Sequence, residues 1–185
     1  MKGYEQAGAS AISVLTDSFF DGKNEDLEEA FSLVGIPLLR KDFIIDPYQI
    51  IESKSLGASA ILLIAAILTG EEVKEFSKIA YDLELEVLFE IHSIEELDLM
   101  AENIRIVGVN NRDLKTFGVD IQNSRKTLKH IPEHMIKVAE SGINSAEVIS
   151  ELYRMGFDAF LIGENFMKEK DPAHEARNFI NKINK

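Results

Sequence analysis

A lysine and two glutamates of this sequence each stand at the end of a short apolar run, where they could carry acid–base chemistry. They are Lys41, Glu90 and Glu140. Carboxylates beside a lysine keep it charged and oriented, while partial desolvation makes its ammonium group a better proton donor. These residue types therefore predict a general-acid site. A structural ion pair that holds neighbouring strands together is the other interpretation that they allow.

Two glycine-containing pairs follow the last two apolar runs and suggest a phosphate site. They are Ser141-Gly142 and Gly163-Glu164. In βα barrels the loops after the last two strands commonly bind phosphate through backbone N–H groups, and glycine permits close approach of the backbone. The Ser141 hydroxyl can donate as well, whereas Glu164 would have to use its peptide N–H because its carboxylate repels an anion. Glycine after a strand is often only a turn residue, but two such pairs together predict phosphate binding.

The elements that must position these residues alternate regularly along the chain. Seven short runs rich in apolar and β-branched residues lie at 9–15, 36–39, 58–64, 85–89, 104–109, 135–139 and 157–162. Several lack strict polar alternation, which is typical of strands buried on both faces of a parallel sheet. Helix starts lie between them, with capping patterns at Asp46-Pro47, Thr69, Ser93, Ser145 and Asp171-Pro172. The order strand–helix, repeated seven times, predicts an α/β fold.

Two architectures satisfy that order: an open doubly wound sheet and a (β/α)8 TIM-type barrel of parallel strands. No G-x-G-x-x-G follows the first run, and the chemical residues follow several different strands, which favours the barrel. Such a barrel typically needs about 250 residues, whereas this chain has 185. Residues 2–7 resemble the end of a helix whose preceding strand is absent. We therefore expect a single domain over 1–185 with seven of eight strands, and oligomerisation through the two unpaired edges.

Strand alternation predicts which side chains share a face. Lys41, Glu90 and Asn110 should point into the barrel, and Gly108 shares the face of Asn110. Arg40 should point outward, toward the helices. The inward residues, with Glu140, would then surround one cavity at the carboxyl ends of the strands.

Two further features receive a structural interpretation. His92 lies one or two residues beyond a strand and is interpreted as a cap or loop residue. The pair Phe19-Phe20, in the loop after the first run, is interpreted as local packing.

Composition excludes several classes of function. With 20 basic and 32 acidic residues the net charge is −12, which repels nucleic-acid backbones. The chain has no cysteine, and its four histidines are scattered, so thiolate chemistry and a zinc motif are absent. No apolar run is long enough to span a bilayer, and the first residues lack the apolar core of a secretory signal. We expect a cytoplasmic protein with a small-molecule partner and neither nucleic acid nor membrane.

The motifs at the strand ends resemble those of the indole-3-glycerol phosphate synthase family over residues 8–171. They are Ser13-Val14-Leu15-Thr16-Asp17, Leu39-Arg40-Lys41-Asp42-Phe43, Leu62-Leu63-Ile64, Glu90-Ile91-His92, Asn110-Asn111-Arg112-Asp113-Leu114, Glu140-Ser141-Gly142-Ile143 and Leu161-Ile162-Gly163-Glu164. The resemblance implies a carboxy-lyase of tryptophan biosynthesis. It closes the indole ring of 1-(o-carboxyphenylamino)-1-deoxyribulose 5-phosphate with loss of CO2 and water, and it needs no cofactor or metal.

The resemblance also implies roles for individual residues. Lys41 resembles the general acid, Glu90 the carboxylate of later proton transfers, Asn110 a ligand of a substrate hydroxyl, and Glu140 part of the charged network. Arg112 resembles a contact to the substrate carboxylate. The apolar wall around the substrate ring is formed by Phe43, Leu62, Leu88 and Leu114. The phosphate cradle is formed by Ser141, Gly142, Gly163 and Glu164.

One departure from the family pattern lowers the activity that we expect. The resemblance implies a first strand ending in Glu-x-Lys and followed by Ser-Pro-Ser, and no such strand precedes the first apolar run at 9–15. We therefore expect an impaired enzyme, with an inactive fragment or a phosphate-ligand-binding barrel as the alternatives. Phosphoribosylanthranilate isomerase is disfavoured by the absence of cysteine, and a ribulose-phosphate epimerase by the absence of a suitable metal-binding set.

Overall fold

Strands and helices alternate along the chain in a computed structural model that describes residues 1–112, 118 and 122–183. The strands are β1 (Ile12–Leu15), β2 (Leu38–Lys41), β3 (Ala60–Ile64), β4 (Glu86–Ile91), β5 (Ile106–Asn110), β6 (Ile136–Glu140) and β7 (Ala159–Leu161). The helices are α1 (Lys2–Ala7), α2 (Asn24–Leu33), α3 (Pro47–Ser55), α4 (Gly70–Asp82), α5 (Gln122–Leu128), α6 (Ala146–Met155), α7 (Glu164–Met167) and α8 (Pro172–Ile183). Short 3-10 turns follow β1, β3 and β4.

Each strand pairs in parallel with the next one along the chain, so the sheet runs in order from β1 to β7. The register places Ile64 opposite Glu90 and Asn110 opposite Glu140. Because all strands are parallel, their carboxyl ends meet at one mouth. The α/β TIM-barrel-type fold predicted from the sequence is confirmed, with seven strands.

The apolar core has two layers that follow the alternation of the strands. The larger layer lies between the sheet and its helices and includes Phe89 and Val107. The smaller layer fills the inside of the barrel with Leu39, Leu62, Ile64, Leu88 and Val138. The predicted facing of the strand residues is therefore confirmed, and the mouth residues rest on a packed interior.

Helix starts follow the capping patterns at most of the predicted sites. Asp46 accepts a hydrogen bond from the N–H of Tyr48 at 2.8 Å, and Thr69 forms a capping box with Glu72. The capping prediction at Ser93 was wrong. The Glu96 carboxylate accepts instead from the N–H of His92 at 2.6 Å, and a 3-10 turn covers Glu95–Leu99.

The barrel is open on one side, because β1 and β7 do not pair with each other in the described part of the chain. The residues of β7 are only half-buried. The helical layer is nevertheless continuous there: a Cβ on Gly3 of α1 would lie 2.3 Å from the Cβ of Ala173 in α8. Absence of a side chain at Gly3 thus lets the two helices touch. Association of copies through the open edges stays a prediction.

No helix in the described ranges combines the length and the apolar character that crossing a bilayer requires.

Candidate active site at the carboxyl ends of the strands

A lysine, a glutamate and an asparagine from three strands meet at the mouth of the barrel. The Lys41 Nζ lies 3.6 Å from Oε2 of Glu90, and Nδ2 of Asn110 donates to Oε1 of Glu90 at 3.0 Å. Glu90 is 2% exposed, whereas the Lys41 side chain is 26% exposed. The buried carboxylate therefore attracts an ammonium group that still reaches the opening. This arrangement holds a proton donor where a ligand can enter.

Glu140 is the second buried carboxyl group of this centre. It ends β6 opposite Asn110, and neither of its carboxyl oxygens has a hydrogen-bond partner among the described residues. Burial, and then repulsion by the Glu90 charge, raise the pKa of Glu140 well above its usual range, although the Lys41 charge acts in the opposite direction. The environment of Glu140 therefore favours its protonated form, close to Glu90.

The pKa shift of Glu140 predicts a pH-dependent stability difference between the wild type and Glu140→Gln. The unfolded chain releases this proton near the ordinary value of 4.5, while the folded chain holds it to higher pH. Between the two pKa values, rising pH lowers the contribution of Glu140 to the free energy of unfolding by about 1.4 kcal/mol per pH unit. Glu140→Gln does not titrate there, so we expect it to gain stability relative to the wild type as the pH rises. Urea unfolding of both proteins from pH 4 to pH 8 measures the difference.

Glu147→Gln is the matched control, with the opposite sign. Hydrogen bonds from Ser145 and from the backbone at Glu147 lower the pKa of this exposed carboxyl group. Its stabilising contribution is present above the ordinary pKa and is lost as the pH falls. Glu147→Gln should therefore lose stability relative to the wild type only as the pH rises to about the ordinary value of 4.5, and the difference should be flat from there to pH 8. A Glu140→Gln difference that stays flat with pH would contradict the assigned burial of the charge.

His92 lies beside the same carboxylate. Its Nε2 is 3.5 Å from Oε1 of Glu90 and its Nδ1 is 3.9 Å from Oε2 of Glu96, and neither ring nitrogen is hydrogen-bonded among the described residues. The interpretation as a loop residue is correct for its backbone, which follows β4. The ring nevertheless belongs to the charged centre, and its spacing of two residues from Glu90 was the signal for that.

Arg40, next to Lys41, faces the helices as predicted and is 3% exposed. Its guanidinium group donates to Thr16 after β1, to the Asp42 carboxylate, to the Asn24 side chain of α2, and to the Gln49 carbonyl and Ser53 hydroxyl of α3. A further ion pair joins it to Glu52 at 2.9 Å. Arg40 thus ties the end of β2 to two helices and holds the backbone that carries Lys41. The sequence alone did not indicate this network.

The loop after β6 contains two consecutive residues with positive φ, Ser141 at 64° and Gly142 at 74°. A non-glycine residue in this region carries a conformational cost, and such residues cluster at functional sites. Asn111 holds the loop in place: its Nδ2 donates to the carbonyls of Glu140 at 3.1 Å and Ser141 at 3.2 Å. Its Oδ1 accepts from the Ser124 hydroxyl at 2.7 Å, which anchors the loop to α5. Sequence reasoning missed Asn111.

An ion pair connects the loops after β5 and β7. Nη2 of Arg112 lies 2.6 Å from Oε2 of Glu164, and Gly163 is the residue that precedes α7. Arg112 was predicted to contact a substrate carboxylate, and Glu164 to use only its peptide N–H. In this structure the two side chains pair with each other, so an incoming carboxylate would have to share or replace Glu164.

Apolar residues surround the charged centre at two levels. Leu62 and Leu88 are buried in the inner layer of the barrel. Phe43 is 36% exposed at the mouth, where its ring stacks on Phe20 at 6.1 Å, and Phe19 meets Phe20 edge-on at 5.0 Å. The two rings after β1 therefore do pack locally, as interpreted, but Phe19 is 76% exposed and the patch faces solvent. Leu114, the remaining predicted wall residue, lies outside the described residues.

Across residues 1–112, 118 and 122–183, no three His, Asp or Glu side chains are grouped closely enough to hold a metal ion.

Comparison with known proteins decides the family of this site. The family model described as indole-3-glycerol phosphate synthase matches residues 1–179. The chain belongs to the indole-3-glycerol phosphate synthase family. The synthase of Bacteroides thetaiotaomicron is 48% identical over 181 residues, which are 97% of this chain and 70% of that protein. The synthase of Koribacter versatilis is 47% identical over 181 residues, again 97% of this chain and 70% of the relative.

Solved structures agree on the fold at much lower identity. The 3-hexulose-6-phosphate synthase of Salmonella typhimurium superposes with a TM-score of 0.79 at 16% sequence identity, covering 99% of this chain and 90% of that one. At this identity the similarity concerns the barrel fold alone.

In this member of the synthase family, the structure brings together the four residues to which the resemblance assigns the catalytic roles. Lys41, Glu90, Asn110 and Glu140 form one cluster. Their roles in a reaction stay predictions. Asn111, which sequence reasoning missed, binds the backbone of the loop after β6 and follows the selected Asn110, whereas His92 reaches Glu90 through its ring.

Proposed function

We propose that the mouth of this barrel carries out the indole-3-glycerol phosphate synthase reaction. In that reaction 1-(o-carboxyphenylamino)-1-deoxyribulose 5-phosphate is converted to indole-3-glycerol phosphate, CO2 and water. The observation that carries the proposal is the Lys41 ammonium group, held 3.6 Å from the buried Glu90 carboxylate and still open to the mouth. Membership of the synthase family supports it.

The first half of the reaction needs an acid. As the ring carbon that bears the carboxylate attacks the ketone carbon, Lys41 Nζ donates a proton to the ketone oxygen, which becomes a hydroxyl group. Loss of CO2 from the same ring carbon restores aromaticity. A charged donor directed at the oxygen that gains negative charge stabilises the transition state in a water-poor site.

The second half removes that hydroxyl group as water. The proton lost with it comes from the adjacent methylene carbon, so the new ring double bond forms and the ring nitrogen keeps its hydrogen. Glu90 is the group for these proton transfers, since it lies between Lys41 and Asn110. Glu140, whose raised pKa favours the protonated form, is a further proton donor beside Glu90. Asn110 hydrogen-bonds a substrate hydroxyl.

Binding groups around this centre would fix the substrate at three points. The phosphate is assigned to Ser141, Gly142, Gly163 and the peptide N–H of Glu164, and the carboxylate to Arg112. The aromatic ring is assigned to Phe43, Leu62 and Leu88, together with Leu114. Orientation at several points lowers the entropic part of the barrier.

We propose further that the 185-residue chain by itself turns over slowly. The side between β1 and β7 is open, and the half-buried β7 residues leave that wall of the cavity exposed to water. Water weakens the electrostatic stabilisation on which the chemistry depends. The same observation favours a second candidate function, binding of a phosphorylated ligand without turnover. A cytoplasmic location remains a prediction.

A single-turnover assay with the chain in excess over the carboxyphenylamino substrate tests these proposals, together with a titration with indole-3-glycerol phosphate. We expect saturable binding of indole-3-glycerol phosphate and its slow formation from the substrate. Binding without any turnover would leave the second candidate, and failure of both would reject both functions. Turnover as fast as that of the curated relatives would reject the proposed impairment.

A further inference from the structure

We propose that Gly108 is a positioning residue, whose missing side chain leaves the space in which the Glu140 carboxylate lies. The effect that we expect on turnover rests on the proposed function, whereas the placement of the Glu140 carboxylate does not. Gly108 is in the middle of β5, on the face that points into the barrel, and it has Glu90 and Val138 as its register partners.

The space is defined by three short distances. A Cβ placed on Gly108 would lie 2.0 Å from Oε1 of Glu140, 3.2 Å from Cδ of the same residue, and 3.2 Å from Cδ1 of Leu88. The first distance is far below van der Waals contact. Although Glu140 pairs in register with Asn110, its side chain therefore extends back into the barrel, over Gly108 and toward the interior.

The backbone at Gly108 does not need glycine. The described glycines with positive φ are Gly8, Gly57, Gly142 and Gly156, and Gly108 is not one of them. Glycine in the middle of a strand weakens it, because the unfolded chain is freer and no side chain packs. Since the local conformation suits any residue, the space above Gly108 is the physical reason for glycine here.

A methyl group at position 108 would displace the Glu140 carboxyl group and leave the backbone of the barrel in place. The atom in closest conflict is the far end of a flexible side chain, which can turn away without a change of the backbone. The carboxyl group would move away from Gly108 and out of its position beside Glu90. The backbone and the larger core layer, between the sheet and its helices, would stay unchanged.

The test is Gly108→Ala, with Gly35→Ala as the matched control. A Cβ on Gly35 would lie 3.5 Å from Oε1 of Glu5, an ordinary contact with a glutamate oxygen far from the mouth. For Gly108→Ala we expect single-turnover rates to fall about a hundredfold, the loss typical of a group misplaced by about 1 Å. We expect the urea midpoint to stay near that of the wild type. Gly35→Ala should change neither quantity.

A readout independent of turnover is the titration of Glu140 followed by carbon-13 NMR of the labelled carboxyl group. Gly108→Ala should move the midpoint of that titration toward the ordinary value for glutamate, since the group leaves its buried position. If the wild type has no turnover, the proposed function fails while this titration still tests the position of Glu140. An unchanged titration in Gly108→Ala would overturn the inference.

A double-mutant cycle separates the carboxylate from general disturbance of the barrel. In a Glu140→Ala background, Gly108→Ala should change the single-turnover rate by less than about twofold, because the clash partner is gone. An equal loss in both backgrounds would overturn the inference. If Gly108→Ala also lowers the urea midpoint, adding Glu140→Asp shortens the side chain and should restore the midpoint. Failure to restore it would count against the clash.

Discussion

Lys41→Met is expected to lower the single-turnover rate of indole-3-glycerol phosphate formation by about a thousandfold, within the range typical for loss of a general acid. The methionine side chain is similar in length and apolar stem, so the substitution mainly removes the ammonium group. Binding of indole-3-glycerol phosphate should change much less, since the loops after β6 and β7 are untouched. The rate is measured with the chain in excess over substrate, so that a slow reaction remains visible.

Lys78→Met is the matched control for this substitution. The Lys78 side chain is 74% exposed on α4 and pairs with Asp82 at 2.7 Å. Exposed pairs of this kind contribute little to stability, and the site lies outside the mouth, so its rate should equal that of the wild type. Removal of Lys41 also removes the positive charge that lowers the pKa of Glu140, so that pKa should rise further. A Lys41→Met protein that keeps its rate but loses stability would support the structural ion pair instead.

Arg40→Leu is expected to lower the free energy of unfolding by about 3–5 kcal/mol, the usual cost of removing one partner of a buried ion pair. The Asp42 carboxylate would remain buried, having lost contacts at 3.2 Å to Nε and 3.1 Å to Nη2 of Arg40. Hydrogen bonds from Thr16 and the Phe43 N–H would compensate only in part. Urea unfolding at neutral pH measures the difference.

Two companion variants make this prediction specific. Arg105→Leu removes an exposed guanidinium group that donates to the carbonyls of Glu102 and Ile104, and it should change stability by less than about 0.5 kcal/mol. Adding Asp42→Asn to Arg40→Leu removes the buried carboxylate charge that no longer has a cation beside it. The double variant should therefore recover part of the lost free energy of unfolding. The role assigned to the network fails if Arg40→Leu is as stable as the wild type, or if the double variant recovers nothing.

Adjacent residues of β2 thus serve different functions on opposite faces of the sheet. Arg40 binds the helical layer, and Lys41 points into the mouth. A defect in rate without loss of stability is expected for Lys41, and a large loss of stability for Arg40. Comparison of the two variants tests the alternation of β2 in solution.

Local patterns of residue types were enough to predict the order of the elements and the face that each strand residue presents. These properties follow from local periodicity: residues two apart in a strand share a face, and a capping residue acts within its own turn. Leu88 and Glu90 on the inside and Arg40 on the outside follow from that rule, as does the cap at Asp46. Parallel pairing then brings the ends of all strands to one mouth, so the charged cluster was predictable as well.

The contacts among those side chains, in contrast, could be read only from the folded chain. The position of Glu140 over Gly108, the attachment of Ser141 by Asn111 and the pairing of Arg112 with Glu164 each join residues from different strands or loops. Such contacts depend on strand twist, on rotamers and on the space left by neighbouring side chains, and none of these is recorded in the spacing of residue types. The wrong capping prediction at Ser93 has the same cause. The Glu96 carboxylate accepts a hydrogen bond from the backbone N–H of His92 instead.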